Sequence, residues 1–355
     1  MIWKGHIHIK INIKGLLPSE LKLAIKEIGE KEYRAVQILS WVYKRGAESF
    51  DEMSDLTLGF REASKKRFIL KNLDLVNEHV SKDGTSKYLF RLLDGNLIES
   101  VLIPSHRGSS YRNTVCVSTQ VGCAFGCRFC ASGKKGFKRD LSTAEIVDQV
   151  LFIKNRINPH PITNIVIMGV GEPLSNYDNL LKAVRLFNSH ECLNIGIRKI
   201  TISTCGIIAE ILRLAKENLQ VELSVSLHAS DDATRSSLMP INKKYPISKL
   251  IETCKEYILK TNRQITFEYI LIKGINDSPQ DARRLIRILN GLKCKVNIIP
   301  YNEIEGIRFE SPDIGTIKTF RGILKMGGII STLRLQRGSD IKASCGQLRM
   351  MENIP

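Results

Sequence analysis

Two hydrophobic patterns alternate along the chain from residue 113 onwards. Short apolar runs rich in Ile and Val are typical of buried strands, and most are followed by a segment whose apolar residues recur at helical spacing. Repeated strand–loop–helix units connect through right-handed crossovers and build a parallel sheet. The pattern therefore predicts an α/β fold, a partial (β/α)6 barrel, with strands at 114–120, 162–168, 199–203, 221–227, 264–272, 295–300 and 329–335 and helices at 146–156, 179–187, 208–217, 247–260, 279–289 and 313–326.

Helical spacing also dominates residues 17–68, with Ser19 as the predicted N-cap of the first helix. Residues 16–72 are expected to form a helical accessory domain, with Trp41 and Tyr43 in its core. The basic residues around these aromatics either grip RNA or form a solvated face, and the sequence leaves both readings open. Residues 1–15 alternate like a strand in part, and no role is assigned to them.

Between residues 73 and 112 apolar and polar residues alternate, which is the period of half-buried strands. Asp83-Gly84 and Asp94-Gly95 are turn signals between short strands. We expect a small β meander here, with the polar residues 105–111 as a linker. The barrel is expected to occupy residues 113–348, and residues 349–355 to form a tail.

Charge and cysteine content narrow the choice of partners. Lys and Arg outnumber Asp and Glu by 53 to 36, which gives the 355-residue chain a formal net charge of +17. This excess favours polyanionic partners, nucleic acid first. The first residues lack the apolar core of a secretory signal, and no apolar run is long enough to span a bilayer. Nine cysteines, an odd number, favour metal or redox chemistry over a disulfide framework. We expect a cytoplasmic monomer without membrane contact.

Three cysteines lie close together in the loop after the first predicted barrel strand. Cys123, Cys127 and Cys130 have C-x3-C-x2-C spacing. Thiolates are the ligands of iron–sulfur clusters, and three of them leave one iron of a 4Fe–4S cluster open. A structural zinc site needs four ligands, and the nearest histidine, His106, stands far upstream. With Phe129 before the last cysteine, the loop resembles the signature of radical S-adenosylmethionine (SAM) enzymes, whose open iron binds SAM.

Polar residues follow the C-terminal ends of several predicted strands, where parallel barrels place their active sites. Glu172, in Gly169-Val170-Gly171-Glu172-Pro173, adds a carboxylate after the second strand. Ser203, Ser226 and His228 offer hydroxyl and imidazole groups for a ribose or a carboxylate after the third and fourth strands. Taken singly, each is typical of a turn residue whose polar group is hydrogen-bonded within the protein. Together on one rim they predict a ligand site.

Six motifs spread over the chain occur together in one family. They are Glu-Ser-Val-Leu-Ile-Pro at 99–104, Cys-Val-Ser-Thr-Gln-Val-Gly-Cys at 116–123, Gly-Phe-Lys-Arg-Asp-Leu at 136–141, Ser-Leu-His at 226–228, Leu-Met-Pro-Ile-Asn at 238–242 and Ala-Ser-Cys-Gly-Gln-Leu at 343–348. Through them the chain resembles the RlmN-type dual-specificity 23S ribosomal RNA and transfer RNA adenine-C2 methyltransferases. Antibiotic-resistance adenine-C8 methyltransferases are close relatives. The likeness covers about Leu17 to Leu348.

The resemblance implies a set of site residues. Cys123, Cys127 and Cys130 would hold a 4Fe–4S cluster. Cys345 would carry the methyl group as S-methylcysteine, Cys116 would be the resolving thiol, and Glu99 the proton acceptor. The SAM site would be lined by Gly171, Glu172, Ser203, Ser226, Leu227, His228 and Asn302.

The resemblance also implies a reaction that uses two SAM molecules per turnover. Cys345 takes a methyl group from the first, and the second yields a 5′-deoxyadenosyl radical that removes a hydrogen from that methyl group. The methylene radical adds to adenine, and Cys116 resolves the protein–RNA adduct by forming a transient disulfide with Cys345. Radical addition suits adenine C2, which is electron-poor and has no lone pair with which to attack SAM. The implied partners are 23S rRNA, transfer RNA and an external electron donor such as flavodoxin.

The sequence leaves two alternative functions open. Adenine-C8 methylation is the nearer one. Pro173 resembles the C2 enzymes, while Val170 and Cys205 replace residues common in the family without removing a ligand. A non-catalytic RNA-binding protein with a zinc loop is the second, and it leaves Cys116 and Cys345 unexplained.

Overall fold

The computed structural model describes residues 10–107, 110–334 and 336–348. The strand-like pattern in residues 1–9 and the tail at 349–355 therefore lie outside the described residues. The accessory helices come first in the described chain. Its elements are β1 (Ile11–Asn12), α1 (Pro18–Glu27), α2 (Tyr33–Leu39), α3 (Leu58–Arg67) and β2 (Phe68–Ile69), with α2 continuing as a π-helical turn, Ser40–Arg45.

One local prediction for this region was wrong, and a second holds in part, because Trp41 packs against the core but is not enclosed by it. Helix α1 begins at Pro18, which needs no N–H partner there, and the Glu20 carboxylate instead accepts the backbone N–H of Leu17 at 2.7 Å. Ser19 is therefore inside the helix rather than its N-cap. Tyr43 is fully buried as expected, but Trp41 is only half-buried and donates its indole N–H to Asp55.

The meander and the barrel share one continuous sheet. Strands β3 (Leu73–Val80), β4 (Ser86–Leu92), β5 (Leu97–Arg107) and β6 (Ser110–Cys116) pair antiparallel in chain order. Ser105 pairs with Arg112 across β5 and β6. The segment predicted as a linker therefore belongs to a hairpin, because the alternating pattern of the meander runs directly into the first barrel strand.

Parallel strands with covering helices follow, and the predicted α/β fold is confirmed. Within the described residues the sheet runs in the order β14-β13-β12-β11-β10-β9-β6 through parallel pairs and then β5-β4-β3, so β14 and β3 are its edges. A separate antiparallel pair, β7 (Gln120–Gly122) and β8 (Phe137–Asp140), flanks the cysteine loop. The remaining elements are α4 (Thr143–Arg156), β9 (Asn164–Ile167), α5 (Tyr177–Asn188), β10 (Ile200–Thr204), α6 (Ile208–Leu214), β11 (Glu222–Ser226), α7 (Asp232–Leu238), α8 (Ile247–Thr261), β12 (Ile265–Leu271), α9 (Pro279–Leu289), β13 (Cys294–Pro300), α10 (Ile314–Met326) and β14 (Ser331–Leu333).

Helix α7 was not predicted, because its sequence is polar and carries no apolar stripe. Asp231 caps it by accepting the backbone N–H of Thr234, and Arg235 on its buried face is fully enclosed. None of the helices in the described ranges is long and apolar enough to cross a membrane.

The two faces of the barrel strands differ in polarity. On β10, Ile200 and Ile202 are fully buried, whereas Thr201 and Ser203 are half-exposed on the other face. The apolar face joins one contiguous core that also contains the accessory helices. The polar face lines the inside of the open barrel, hereafter the lumen, and this is where the site lies.

A buried ion pair attaches the accessory region to the barrel. Lys14 Nζ lies 2.5 Å from Asp148 Oδ1 on α4, and both side chains are almost fully enclosed. Asp148 Oδ2 also accepts the backbone and side-chain N–H groups of Asn72. The carboxylate is therefore fully paired, which a buried charge requires.

Replacing Lys14 with Met should lower the free energy of unfolding by about 3 kcal/mol, because Asp148 becomes a buried charge without its cation. The double variant K14M/D148N should recover most of this loss, since the neutral amide still offers an acceptor to Asn72. Urea unfolding followed by circular dichroism measures both. A K14M protein as stable as the parent would contradict the importance of the pair.

Candidate active site

The cysteine loop is held by backbone hydrogen bonds to three different segments. Cys123 N–H donates to Gly136 O at 3.1 Å, Arg128 N–H to Leu238 O at 2.9 Å and Ala131 N–H to Gly346 O at 2.8 Å. Because a Cβ at Gly122 would lie 1.8 Å from Gly136 O, only glycine allows β7 and β8 to approach so closely. The three predicted cluster ligands are thus presented on a fixed loop.

Burial controls the protonation of these thiols. It raises the pKa of Cys123 to about 11 and that of Cys127 further, with the neighbouring Cys130 adding repulsion in both cases. All nine cysteines, each within the described ranges, are free thiols. A bound metal reverses this preference, because a coordinated thiol loses its proton.

The donor set fits a four-iron cluster better than a single ion. No group of three or more His, Cys, Asp or Glu side chains among the described residues is arranged to hold one metal ion. A cubane binds each thiolate at a different iron, so its ligands need not converge on one point.

His228 connects the cysteine loop to the sheet. Its ring meets the Phe129 ring edge-on at 4.7 Å between centroids, and its Nδ1 accepts the backbone N–H of Ile270 at 3.0 Å. The residue has φ +56°, and Asn276 donates to its carbonyl oxygen at 2.7 Å. Burial, followed by the nearby Arg235 charge, lowers the pKa of His228 to about 3. The imidazole is therefore neutral, and its Nε2–H is left as the donor.

The loop after β9 packs against the protein itself. A Cβ at Gly169 would lie 2.6 Å from Val117 O, and one at Gly171, with φ +105°, 2.6 Å from the Gln120 side chain. Both glycines are therefore required by the close packing of the neighbouring chain. Glu172 Oε2 accepts the backbone N–H of Cys205 at 2.8 Å, and burial raises the pKa of this carboxyl.

The other predicted SAM residues have unequal access to the lumen. Ser203 and Ser226 are half-buried at the C-terminal ends of β10 and β11. The Leu227 side chain is fully buried in the main core. Asn302 Nδ2 donates to Cys345 O at 3.0 Å, and its buried Oδ1 has no hydrogen-bond partner among the described residues. Asn302 therefore presents a free acceptor of the kind that an ammonium or ribose hydroxyl would satisfy.

A cavity of about 1030 Å³ occupies the lumen and is lined by four of the predicted site residues. Cys116, Cys130, Asn302 and Cys345 all line it, whereas Gly171, Glu172, Ser203, Ser226, Leu227 and His228 do not contribute to the walls that the described residues form. Burial, followed by the nearby Cys345 charge, raises the pKa of Cys116 to about 12. The two thiols, distant in sequence, therefore share one cavity with the cluster loop.

Arg334, which was not predicted as a site residue, lies near both cysteines. Attraction to Cys345 is the main cause that raises the pKa of its buried guanidinium, with smaller contributions from Glu268 and Cys116. It lines the same cavity, with Nη1 3.5 Å from Met168 Sδ.

Glu99, the predicted proton acceptor, is buried in an ion pair that the sequence did not reveal. Lys87 Nζ lies 3.3 Å from Glu99 Oε1 and 3.4 Å from the backbone oxygen of Lys342. Both side chains are nearly inaccessible. Lys87 stands directly beside Tyr88 in β4, and no local pattern marks it; only strand pairing brings it to Glu99 and the C-terminal segment.

Arg235 was not predicted as a site residue either. Its side chain joins the loops beneath the cysteines through hydrogen bonds. It is fully buried and donates to the backbone oxygens of Cys205, Ser226 and Leu227 at 2.8, 3.1 and 3.2 Å, and to Asn242 Oδ1 at 2.8 Å. Burial lowers the pKa of this guanidinium. The ends of β10 and β11 therefore depend on one side chain whose partners here are carbonyl and amide oxygens.

The fold and the three-cysteine loop define the class as a radical SAM enzyme. A family model described as the Radical SAM superfamily matches residues 117–286. A second, described as the Ribosomal RNA large subunit methyltransferase N-terminal domain, matches residues 11–70.

Similar proteins narrow the class to one family. The chain is 43% identical over 344 residues to "Dual-specificity RNA methyltransferase RlmN" of Anaeromyxobacter dehalogenans, covering 95% of this chain and 91% of the other. It is 47% identical over 340 residues to "Probable dual-specificity RNA methyltransferase RlmN" of Clostridium tetani, covering 96% of each. The crystal structure of a radical SAM methyltransferase from Sphaerobacter thermophilus matches with a TM-score of 0.92 and 44% identity, over 96% of this chain and 100% of that one. The chain belongs to the RlmN family of dual-specificity RNA methyltransferases, as its motifs predicted.

The neutral state of His228 predicts a pH dependence of stability. The unfolded imidazole binds a proton below pH about 6.5, whereas the folded one remains neutral to about 3, so the free energy of unfolding falls as the pH drops through this range. At pH 5 the loss should be about 2 kcal/mol. His228→Gln keeps an acceptor for Ile270 N–H and should flatten the dependence between pH 7 and 5 in urea titrations. Exposed His190→Gln is the control, and an equal flattening by both variants would refute the assignment.

Proposed function

We propose that this RNA methyltransferase methylates C2 of a specific adenosine in 23S rRNA and in transfer RNA through Cys345. One observation carries the proposal: Cys345 and Cys116 line the same cavity as Cys130 of the cysteine loop. A methyl carrier, a resolving thiol and a cluster ligand are thus gathered where one substrate could reach all three.

The residues suit the cofactors that the family implies. Cys123, Cys127 and Cys130 would hold the 4Fe–4S cluster, and the free Oδ1 of Asn302 is an acceptor for SAM. When bound, the cluster and two SAM molecules per turnover supply a methyl group and a hydrogen-abstracting 5′-deoxyadenosyl radical. The electron for the cluster would come from an external donor such as flavodoxin.

Cys345 is proposed to act as the nucleophile. Asn302 holds its backbone oxygen at 3.0 Å, and the following residue, Gly346, accepts the N–H of Ala131 from the cysteine loop. Arg334 lines the same cavity, and the thiolate is the form of a cysteine that accepts a methyl group. The carbon that Cys345 then carries is joined to adenine C2, which gives a covalent protein–RNA adduct.

Cys116 and Glu99 would complete the turnover. Glu99 would accept the C2 proton as one electron leaves the radical adduct for the oxidised cluster, and Lys87 beside it compensates the carboxylate charge. Cys116 then attacks the sulfur of Cys345: an S–S bond forms as the S–C bond breaks, and the released electron pair stays on carbon. That carbon takes a proton and becomes the methyl group of the product. An external dithiol must reduce the disulfide before the next turnover.

The accessory helices at 16–72 are proposed to help hold the RNA. Their match to the ribosomal RNA methyltransferase N-terminal domain supports this role, as does the family's name. Pro173 supports C2 over C8 as the site of methylation, and product analysis distinguishes the two.

Cys345→Ala should abolish methylation, because no other thiol in the cavity can take the methyl carrier's place. The reconstituted enzyme is incubated with transfer RNA and 23S rRNA, and nucleosides are separated by mass spectrometry. The parent should yield 2-methyladenosine, and Cys192→Ala, a buried cysteine outside the cavity, should do the same. Normal methylation by C345A would exclude the mechanism, while 8-methyladenosine from the parent would exclude only the C2 assignment.

Cys116→Ala should stop the reaction after the adduct has formed, because the S–C bond then has no thiol to break it. Denaturing gels should show protein joined to labelled RNA, and the band should disappear when C345A is combined with it. If C116A releases methylated RNA at the parent rate, Cys116 has no resolving role.

A further inference from the structure

The lumen cavity extends from the cluster end of the barrel to the opposite end. Its walls reach Cys130 and Asn302 at the C-terminal ends of the strands. They also include five residues at the N-terminal ends of β9, β10, β12 and β13, which we call the lower entrance: Asn164, Arg198, Thr201, Gln264 and Lys295. All five are half-buried or exposed. Glu222, at the same end of β11, also lines the cavity. The cavity is therefore a passage along the strands rather than a pocket on one rim.

The inner strand positions are polar where a packed barrel would be apolar. Barrels of this kind normally fill their interior with layers of Val, Ile and Leu. Here Thr114, Ser224, Thr266 and Asn297 occupy inward positions of four strands and line the cavity. Side chains of this size and polarity leave space and offer hydrogen bonds, so the passage suits a polar, planar guest such as a nucleobase.

Other sides of the cavity are covered. Residues 336–348 cross from the β14 edge to the meander, where Gly338 N–H donates to Asp83 Oδ2 at 3.2 Å and Ser81 donates to Asp340 Oδ1 at 2.6 Å. The cysteine loop packs on this segment through Ala131 N–H and Gly346 O. The segment therefore covers the gap between the two sheet edges at the height of Cys345.

Charge at the lower entrance favours a polyanion. Five cationic and two acidic side chains line the cavity as a whole. Of the two acids, Glu222 is paired with Arg263, and Glu268 accepts from Asn297 at 2.8 Å. Arg198 and Lys295 have no ion pair or side-chain hydrogen bond among the described residues. Lys295 has only the electrostatic influence of Glu268 nearby. Cations beside a polar passage favour binding of an RNA backbone.

We propose that the target adenosine enters through the lower entrance and that Arg198 and Lys295 bind the RNA phosphates flanking it. The lower entrance lies at the end of the lumen away from the cluster loop. From there the base extends along the lumen to Cys345 and Cys116. RNA enzymes that act on a base take it out of its stack, and phosphate contacts on either side hold it there. This inference rests on the proposed function and adds the route by which the substrate arrives.

The double variant R198A/K295A tests the route. Its affinity for a transfer RNA transcript, measured by fluorescence anisotropy, should fall roughly tenfold, and the slope of log K against log salt should become shallower by about 1.4. The matched control is K255A/K318A, which removes two exposed lysines from α8 and α10 on the outside of the barrel. Iron content and visible absorption should be unchanged in both variants.

The outcomes separate this inference from the proposed function. If the parent methylates transfer RNA but R198A/K295A binds it as tightly as the parent or the control does, the route is wrong and the function stands. If the parent methylates no RNA, the function itself fails.

A second variant tests passage rather than binding. Gln264→Trp narrows the lower entrance while keeping Arg198 and Lys295. RNA methylation should fall at least tenfold, while SAM cleavage by the dithionite-reduced enzyme without RNA should stay near the parent rate. Methylation at the parent rate would contradict entry at this end. Loss of both activities together with loss of iron would show that the substitution had damaged the fold, and the double variant R198A/K295A would then decide.

Discussion

The arrangement of the site depends on the segment that crosses the open side of the sheet. Residues 336–348 leave the β14 edge and attach to the meander through Asp83 and Ser81 and to the cofactor rim through Asn302. These bonds join the two edges of a sheet that do not pair with each other in the described residues. Cys345 reaches the lumen only because the segment is held at both sides. Its separation from Cys116 is thus set by the sheet rather than by the chain between them.

The second constraint is that the inner face of the barrel strands is polar rather than apolar. Strands of a parallel sheet covered on both faces read as continuous apolar runs, whereas β10 and most of β13 alternate between buried and half-buried residues. The outer face packs on helices in one core, and the inner face carries hydroxyl, amide and charged groups. Stability therefore comes from the outside of the barrel, which leaves the inside free for chemistry. The cost is a set of buried charges, each compensated locally: Glu99 by Lys87 and Glu268 by Asn297 and Arg334.

The cysteine loop shows how the protein prepares a metal site. Burial keeps the Cys123 and Cys127 thiols protonated, so the polypeptide alone does not hold three negative charges together. Metal binding and thiol ionisation are thereby coupled, as in other thiolate sites. The backbone geometry is independent of that step, because Gly122, the Phe129–His228 contact and the carbonyl bonds of Arg235 hold the loop and the rim beneath it.

The sequence by itself determined the α/β class, the strand–helix order and the family, because hydrophobic periodicity and short motifs are local properties. It also placed Cys123, Cys127 and Cys130 on one loop, since their spacing is short. Only the tertiary structure decided what depends on strand pairing. The hairpin in place of a linker at 105–111, the Lys87–Glu99 pair, and Arg334 beside Cys345 all join residues that no local pattern relates. Helix α7 belongs with them, because buried Arg235 stabilises it through tertiary hydrogen bonds rather than an apolar stripe.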